Sequence, residues 1–133
     1  MLAAFGCAAI LAACAGGSSA VDFKARPGEH FTMKRTPSGG ASLSDLASQV
    51  TTDTLLRDRS AKLVKAEPFP ACPGEAGEQI FDLKTPSGPA VLRVAFTQWN
   101  GTTSIASYQR PASSPDDPQA DDALRRSVCS TAL

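Results

Sequence analysis

The sequence is poor in the residues that most often carry chemistry. Its 133 residues hold one histidine, one tryptophan and one tyrosine. With His30 alone and no C-x-x-C pair, a zinc site of ordinary composition is not expected. The serine motifs G-x-S-x-G and S-x-x-K are absent, which removes the common signatures of hydrolytic nucleophiles. Neither G-x-G-x-x-G nor G-x-x-x-x-G-K-[ST] occurs, so no dinucleotide or phosphate loop is indicated. Asp116-Asp117 and Asp121-Asp122 lack the spacing of a calcium loop. Thirteen basic and thirteen acidic residues cancel, and no basic stripe suited to nucleic acid is visible. Nor is there a polybasic segment of the kind that adsorbs to a membrane surface. The expectation is a chain without catalytic residues, cofactor, metal or nucleic-acid partner. His30 reads as an exposed strand residue rather than a catalytic base.

Charge is also missing from the first segment. Met1–Ala13 is built from Met, Leu, Ala, Phe, Gly, Cys and Ile, and Ala15–Ser19 turns small and polar. The run is shorter than the roughly 20 apolar residues a transmembrane helix needs, and it fits a secretory signal better. Leu11-Ala12-Ala13-Cys14 resembles the bacterial lipobox. The resemblance implies cleavage after Ala13, a diacylglyceryl thioether on Cys14 and an acylated new amino terminus. More than one lipid chain makes a stable anchor. Ordinary secretion with cleavage near Ala15 or Ala20, and a retained apolar segment, are the alternatives. The expected division is residues 1–13 as signal peptide, 14–29 as lipidated cysteine and flexible tether, and 30–133 as one domain.

Four cysteines are present, Cys7, Cys14, Cys72 and Cys129. If Cys7 leaves with the signal and Cys14 takes lipid, Cys72 and Cys129 remain. In an oxidising compartment they are expected to pair; two buried free thiols are the alternative.

The domain itself reads as α+β. His30–Lys34 is a candidate strand ended by Thr36-Pro37-Ser38-Gly39-Gly40. Ser42 to Arg59 reads as a helix, capped by Ser42 or Ser44, with Asp45 in its first turn. Leu43, Leu46, Val50 and Leu55 or Leu56 form its apolar face, and Thr51-Thr52 is a point of interruption. Lys62–Lys65 is a short strand. Glu78–Lys84 and Val91–Trp99 are strands separated by Thr85-Pro86-Ser87-Gly88, and Asn100-Gly101 is a type I′ hairpin signal. A two-residue turn there sets Phe96 opposite Ile105, Ala95 opposite Ala106 and Arg93 opposite Tyr108. Leu92, Val94, Phe96 and Ile105 then share a face that packs on a helix, and Arg93 lies against the Tyr108 ring on the other. After the loop Arg110–Pro115, Asp116 or Asp117 caps a last helix with Pro118 in its first turn. Ala120, Leu124 and Val128 mark its buried face, and Asp121 and Asp122 pair with Arg125 and Arg126 at i,i+4. The expected architecture is an antiparallel sheet of about four to six strands packed with two helices, with a three-layer arrangement as its fuller form.

This order resembles the small PsbP-like α/β/α family, on the segments EQIFDLKT, VLRVAFTQWNGTTSIASYQRP and DDALRRSVC, between Phe31 and Val128. The resemblance implies an accessory or protein-binding role and carries over no functional residue. The resulting expectation is a lipoprotein of the bacterial cell envelope, held to a membrane by its lipid and binding another envelope protein. A secreted, unanchored small-ligand-binding or inhibitor protein is the alternative, with an enzyme lacking a recognisable motif behind it. Arg93, Thr97, Trp99 and Tyr108 form the candidate partner surface, rich in interface-type side chains, unless the Ser42–Arg59 helix covers them.

Overall fold

The computed structural model describes residues 26–69, 75–99 and 101–129. Its elements follow in the order β1 (His30–Pro37), α1 (Leu43–Arg57), β2 (Lys62–Pro68), β3 (Glu75–Thr85), β4 (Gly88–Trp99), β5 (Thr102–Pro111) and α2 (Pro118–Cys129). The five strands form one antiparallel sheet in the order β1-β5-β4-β3-β2. The α+β expectation holds.

Two tight hairpins set the register. Thr85 pairs with Gly88 around Pro86-Ser87, and Trp99 pairs with Thr102 around the Asn100-Gly101 position. Gly101 has φ of 77°, a conformation that only glycine adopts without side-chain strain. Asn100 lies outside the described residues. The pairs Phe96–Ile105, Ala95–Ala106, Val94–Ser107 and Arg93–Tyr108 form as the turn dictates. β1 to β4 run longer than the alternating sequence pattern alone marks, and backbone pairing extends to their ends, Pro37 with Thr102, Pro68 with Gly77, Glu75 with Gln98 and Gly88 with Thr85.

Period-two alternation then divides the sheet. On one face Val94, Phe96, Phe81 and Leu83 meet Leu46 and Val50 of α1. On the other Ala95, Ala106 and Tyr108 meet Ala120, Leu124 and Val128 of α2. One helix thus lies on each face, and α2, not α1, covers the side bearing Arg93, Thr97 and Tyr108. Small alanines on that face allow α2 to approach closely.

Ser42 caps α1 through a reciprocal capping box with Asp45, satisfying donors that the first turn leaves open. The helix runs through Thr51-Thr52 without a break. The Thr51 hydroxyl bonds back to the Ala47 carbonyl and reaches Gln79 Oε1, and Thr54 bonds to the Val50 carbonyl. In α2, Asp117 accepts from the backbone N–H groups of Gln119 and Ala120, with Pro118 at the first helical position. Among the described residues no helix is long and apolar enough to cross a membrane.

Of the expected Cys72–Cys129 bridge, one end lies among the described residues. No disulfide joins two cysteines of the described residues, which include one cysteine, Cys129. Its sulfur is disulfide-bonded, but Cys72, like Cys7 and Cys14, lies outside the described residues. The pairing read from the sequence is therefore not among the described bonds.

At Gly77 the Phe96 ring lies close against the β3 backbone. A Cβ there would sit 2.9 Å from Phe96 Cε2. Gly77→Ala is expected to destabilise the domain by about 1–3 kcal/mol through overpacking, measured as a lower urea midpoint with unchanged slope.

Candidate functional site

Helix α1 rests on β3 and β4 and leaves β5 and β1 open on the same face. The result is a groove of about 690 Å³ between the helix and the outer strands. Val50, Asp53, Thr54, Leu56 and Arg57 form the α1 wall, and Leu83, Leu92, Val94 and Ile105 form the inner floor. Outward, the floor becomes polar with Ser107, Gln109, His30, Thr32 and Lys34. These positions follow from the register. His30, Thr32 and Lys34 oppose Gln109, Ser107 and Ile105, so alternate residues of two strands share the groove side.

The groove carries charge of both signs. Asp53, Arg57 and Asp58 stand on the helix side, and Lys34 on the strand side, where the His30 ring also lines the groove. The Ser60 hydroxyl and N–H donate to Asp58 and hold its carboxyl below the usual range. Thr32 and Ser107 hydroxyls lie 2.5 Å apart across the strands. Leu56 is 71 % exposed on the rim. An apolar inner floor with hydrogen-bonding groups along one side suits an amphipathic occupant. Among the described residues no group of three or more metal-ligating side chains comes together.

The opposite face is closed by buried carboxylates. Glu78, only 2 % exposed, accepts from Arg93 at 2.9 Å and from Arg125 at 3.1 Å. Arg93 also reaches Asp121 at 3.0 Å. Burial raises the Asp121 carboxyl, against the pull of Arg93 and Arg125. The pairing within α2 thus differs from the i,i+4 expectation. Only Asp122–Arg125, at 3.5 Å and i,i+3, stays inside the helix, because the buried Glu78 charge draws Arg125 inward. Arg125 also stacks 5.9 Å from the Phe69 ring centroid.

A second buried carboxylate fixes the chain where it enters the sheet. Glu29 accepts from the Tyr108 hydroxyl at 2.6 Å, from Arg26 Nε at 2.8 Å and from the Arg26 backbone N–H at 2.6 Å. Burial works to raise the Glu29 carboxyl, and the Arg26 and Tyr108 hydrogen bonds outweigh it, so it titrates below its ordinary value. Tyr108 is pushed up to about 12 by burial and by the neighbouring carboxylate.

The candidate partner surface is accordingly dispersed. Arg93 directs its guanidinium to Glu78 and Asp121. Thr97 is buried and donates to the Glu75 carbonyl. Tyr108 is 2 % exposed, and Trp99 is half-buried near the hairpin tip. These four do not make one exposed patch, because α2 occupies their face. His30 is exposed, as expected, at the end of the groove. Cys14 lies outside the described residues. The groove residues Thr32, Ser107 and Gln109 carry no sequence signal, since an unpaired sheet face is defined by where the helix stops.

No protein-family model matches the chain, and no curated protein matches it. Among solved structures it is similar to the crystal structure of PA94 from Pseudomonas aeruginosa, a protein of unknown function described as a candidate regulator. The TM-score is 0.60 at 16% identity, covering 80% of this chain and 74% of that one. At that identity the likeness concerns the fold alone.

The buried carboxylates generate two expected outcomes. Glu78→Ala strands two arginines and is expected to cost about 3–5 kcal/mol, whereas Asp122→Ala, at an exposed pair, changes stability by less than about 0.5 kcal/mol; urea denaturation compares them. Glu29, with its folded pKa depressed, contributes stability above its ordinary value of 4.5, lost as pH falls through the lower folded value. Asp121, with its pKa raised, acts in the opposite sense, losing its contribution as pH rises through its folded value. Thermal melts of wild type and Glu29→Gln should therefore differ most near neutral pH and converge in acid.

Proposed function

We propose that the chain is a lipid-anchored accessory protein of the bacterial envelope whose domain binds another envelope protein in the groove beside α1. The observation that carries the binding half is the incomplete cover of one sheet face, which leaves Leu92, Val94 and Ile105 beneath an accessible channel. An exposed leucine on the rim and hydroxyl and amide groups along one wall give an occupant both apolar area and hydrogen bonds. The anchoring half is supported by Leu11-Ala12-Ala13-Cys14, and the accessory role by the helix–sheet–helix order of the PsbP-like resemblance. No catalytic step is assigned to any residue.

The groove volume also suits a small ligand, which favours the secreted small-ligand-binding reading as the second choice. Two measurements separate them. Metabolic labelling with a clickable palmitate analogue is expected to mark the wild-type chain and not Cys14→Ser; an unlabelled wild type refutes the anchor. Ser107→Trp fills the polar floor and is expected to reduce capture of the envelope partner about tenfold or more, the loss typical of a blocked interface centre. Capture unchanged by Ser107→Trp, with the thermal midpoint also unchanged, removes the groove as the binding site.

A further inference from the structure

We propose that one end of the sheet presents a cationic surface to an anionic lipid bilayer, formed by Arg57, Arg59, Lys62 and Lys84. The bilayer as partner rests on the lipid-anchored reading; the surface itself rests on the geometry.

The four cations are separated in sequence and brought together by one junction. Helix α1 ends at Arg57, Asp58 caps it, and β2 begins at Lys62. The Lys84 N–H at the end of β3 donates to Ser60 Oγ at 2.9 Å, and the Ser60 hydroxyl reaches Asp58 Oδ1 at 2.5 Å. Arg59 and Lys62 thus flank the residue to which Lys84 is tied. All four side chains belong to exposed residues. None forms an ion pair among the described residues, whereas Arg26, Lys65, Arg93, Arg110 and Arg125 all do. The carboxylates nearby are Asp58, engaged by Ser60, Asp82, opposite Lys62 in the register, and Asp53, one helical turn before Arg57 on the same wall of the groove. Four cations therefore face three carboxylates, an excess of one positive charge.

Position selects the partner. His30 pairs with Gln109, Ala90 with Pro111, Lys84 with Pro89 and Lys62 with Asp82. The start of β1, where the amino-terminal segment joins, therefore lies at the same end of the sheet as the cations. Four strand spacings separate β1 from Lys62, about 19 Å, and three separate it from Lys84, about 14 Å. On the tether side Arg26 is neutralised by Glu29, and Arg110 by Asp116. A chain anchored through residues preceding Arg26 would present this end to the headgroups, its unpaired cations standing at the far edge. Charges more than about 8 Å from the surface are screened at physiological ionic strength, so the contact requires this end to lie against the bilayer. A cation held there is worth about fivefold in binding.

The test uses the full chain carrying Cys14→Ser, so that no lipid contributes. Its partition onto vesicles rich in phosphatidylglycerol is compared with that onto pure phosphatidylcholine; any apolar contribution of the first segment is common to both. A preference for the anionic vesicles is expected, reduced about tenfold or more in R57Q/R59Q/K62Q/K84Q and weakened by added salt. K62Q/K84Q should lose more of it than K65Q/R126Q, which removes two exposed cations away from this junction. Equal partition of the parent chain onto both vesicles, or equal losses in the two double variants, overturns the proposal, as does binding to an oligonucleotide duplex without any vesicle preference. Thermal midpoints of the variants control for folding. If palmitate labelling of the wild type fails while the anionic preference persists, the anchor is refuted and the surface stands.

Discussion

The rest of the structure depends on the antiparallel register of β4. That strand is paired on both sides through two-residue turns, Thr85 to Gly88 and Trp99 to Thr102. Because side chains alternate with a period of two, a slip of one residue would exchange its two faces. Val94 and Phe96 would leave α1, and Ala95 would give up the small-residue floor that α2 needs. The turns thus fix more than local geometry. They decide which helix lies on which side, and so where the sheet is left open.

The two faces are closed by different physics. Leu46 and Val50 dock α1 on an aromatic and aliphatic surface around Phe81 and Phe96, which is non-directional and tolerates a helix that covers only part of the sheet. Helix α2 combines Leu124 and Val128 with the Glu78–Arg93–Asp121 and Glu78–Arg125 contacts. A buried carboxylate is costly unless paired, so those contacts specify the seat of α2 on the sheet. The groove is consequently found beside α1, where packing sets no demand for full cover, and the face of α2 is closed.

Much of this was legible in the residues. Asn100-Gly101 announced the hairpin, Ser42 and Asp45 the start of α1, Asp117-Pro118 the start of α2, and Ala120, Leu124 and Val128 its buried side. Each is a local rule, in which a turn, cap or periodic face is satisfied within a few residues. Glu78 was not legible as a buried group, since it sits in an alternating strand as any solvent-facing residue would. Its partners Arg93 and Arg125 are distant in sequence. The covering of Thr97 and Tyr108 was anticipated from the wrong helix, because amphipathic helices do not state which face of a two-faced sheet they take.

By itself the sequence determined the α+β class, the hairpin register and the capping of both helices, and it supplied the lipobox-like Leu11-Ala12-Ala13-Cys14. All of these are governed by interactions between near neighbours or by the period of the chain. Tertiary structure alone decided the assignment of α1 and α2 to opposite faces, the groove over β5 and β1, the buried Glu78 charges and the meeting of Arg57, Arg59 and Lys62 with Lys84. These depend on which distant surfaces the packed core brings together. A balanced charge composition or an alternating strand is compatible with many such arrangements, and only the folded chain selects one.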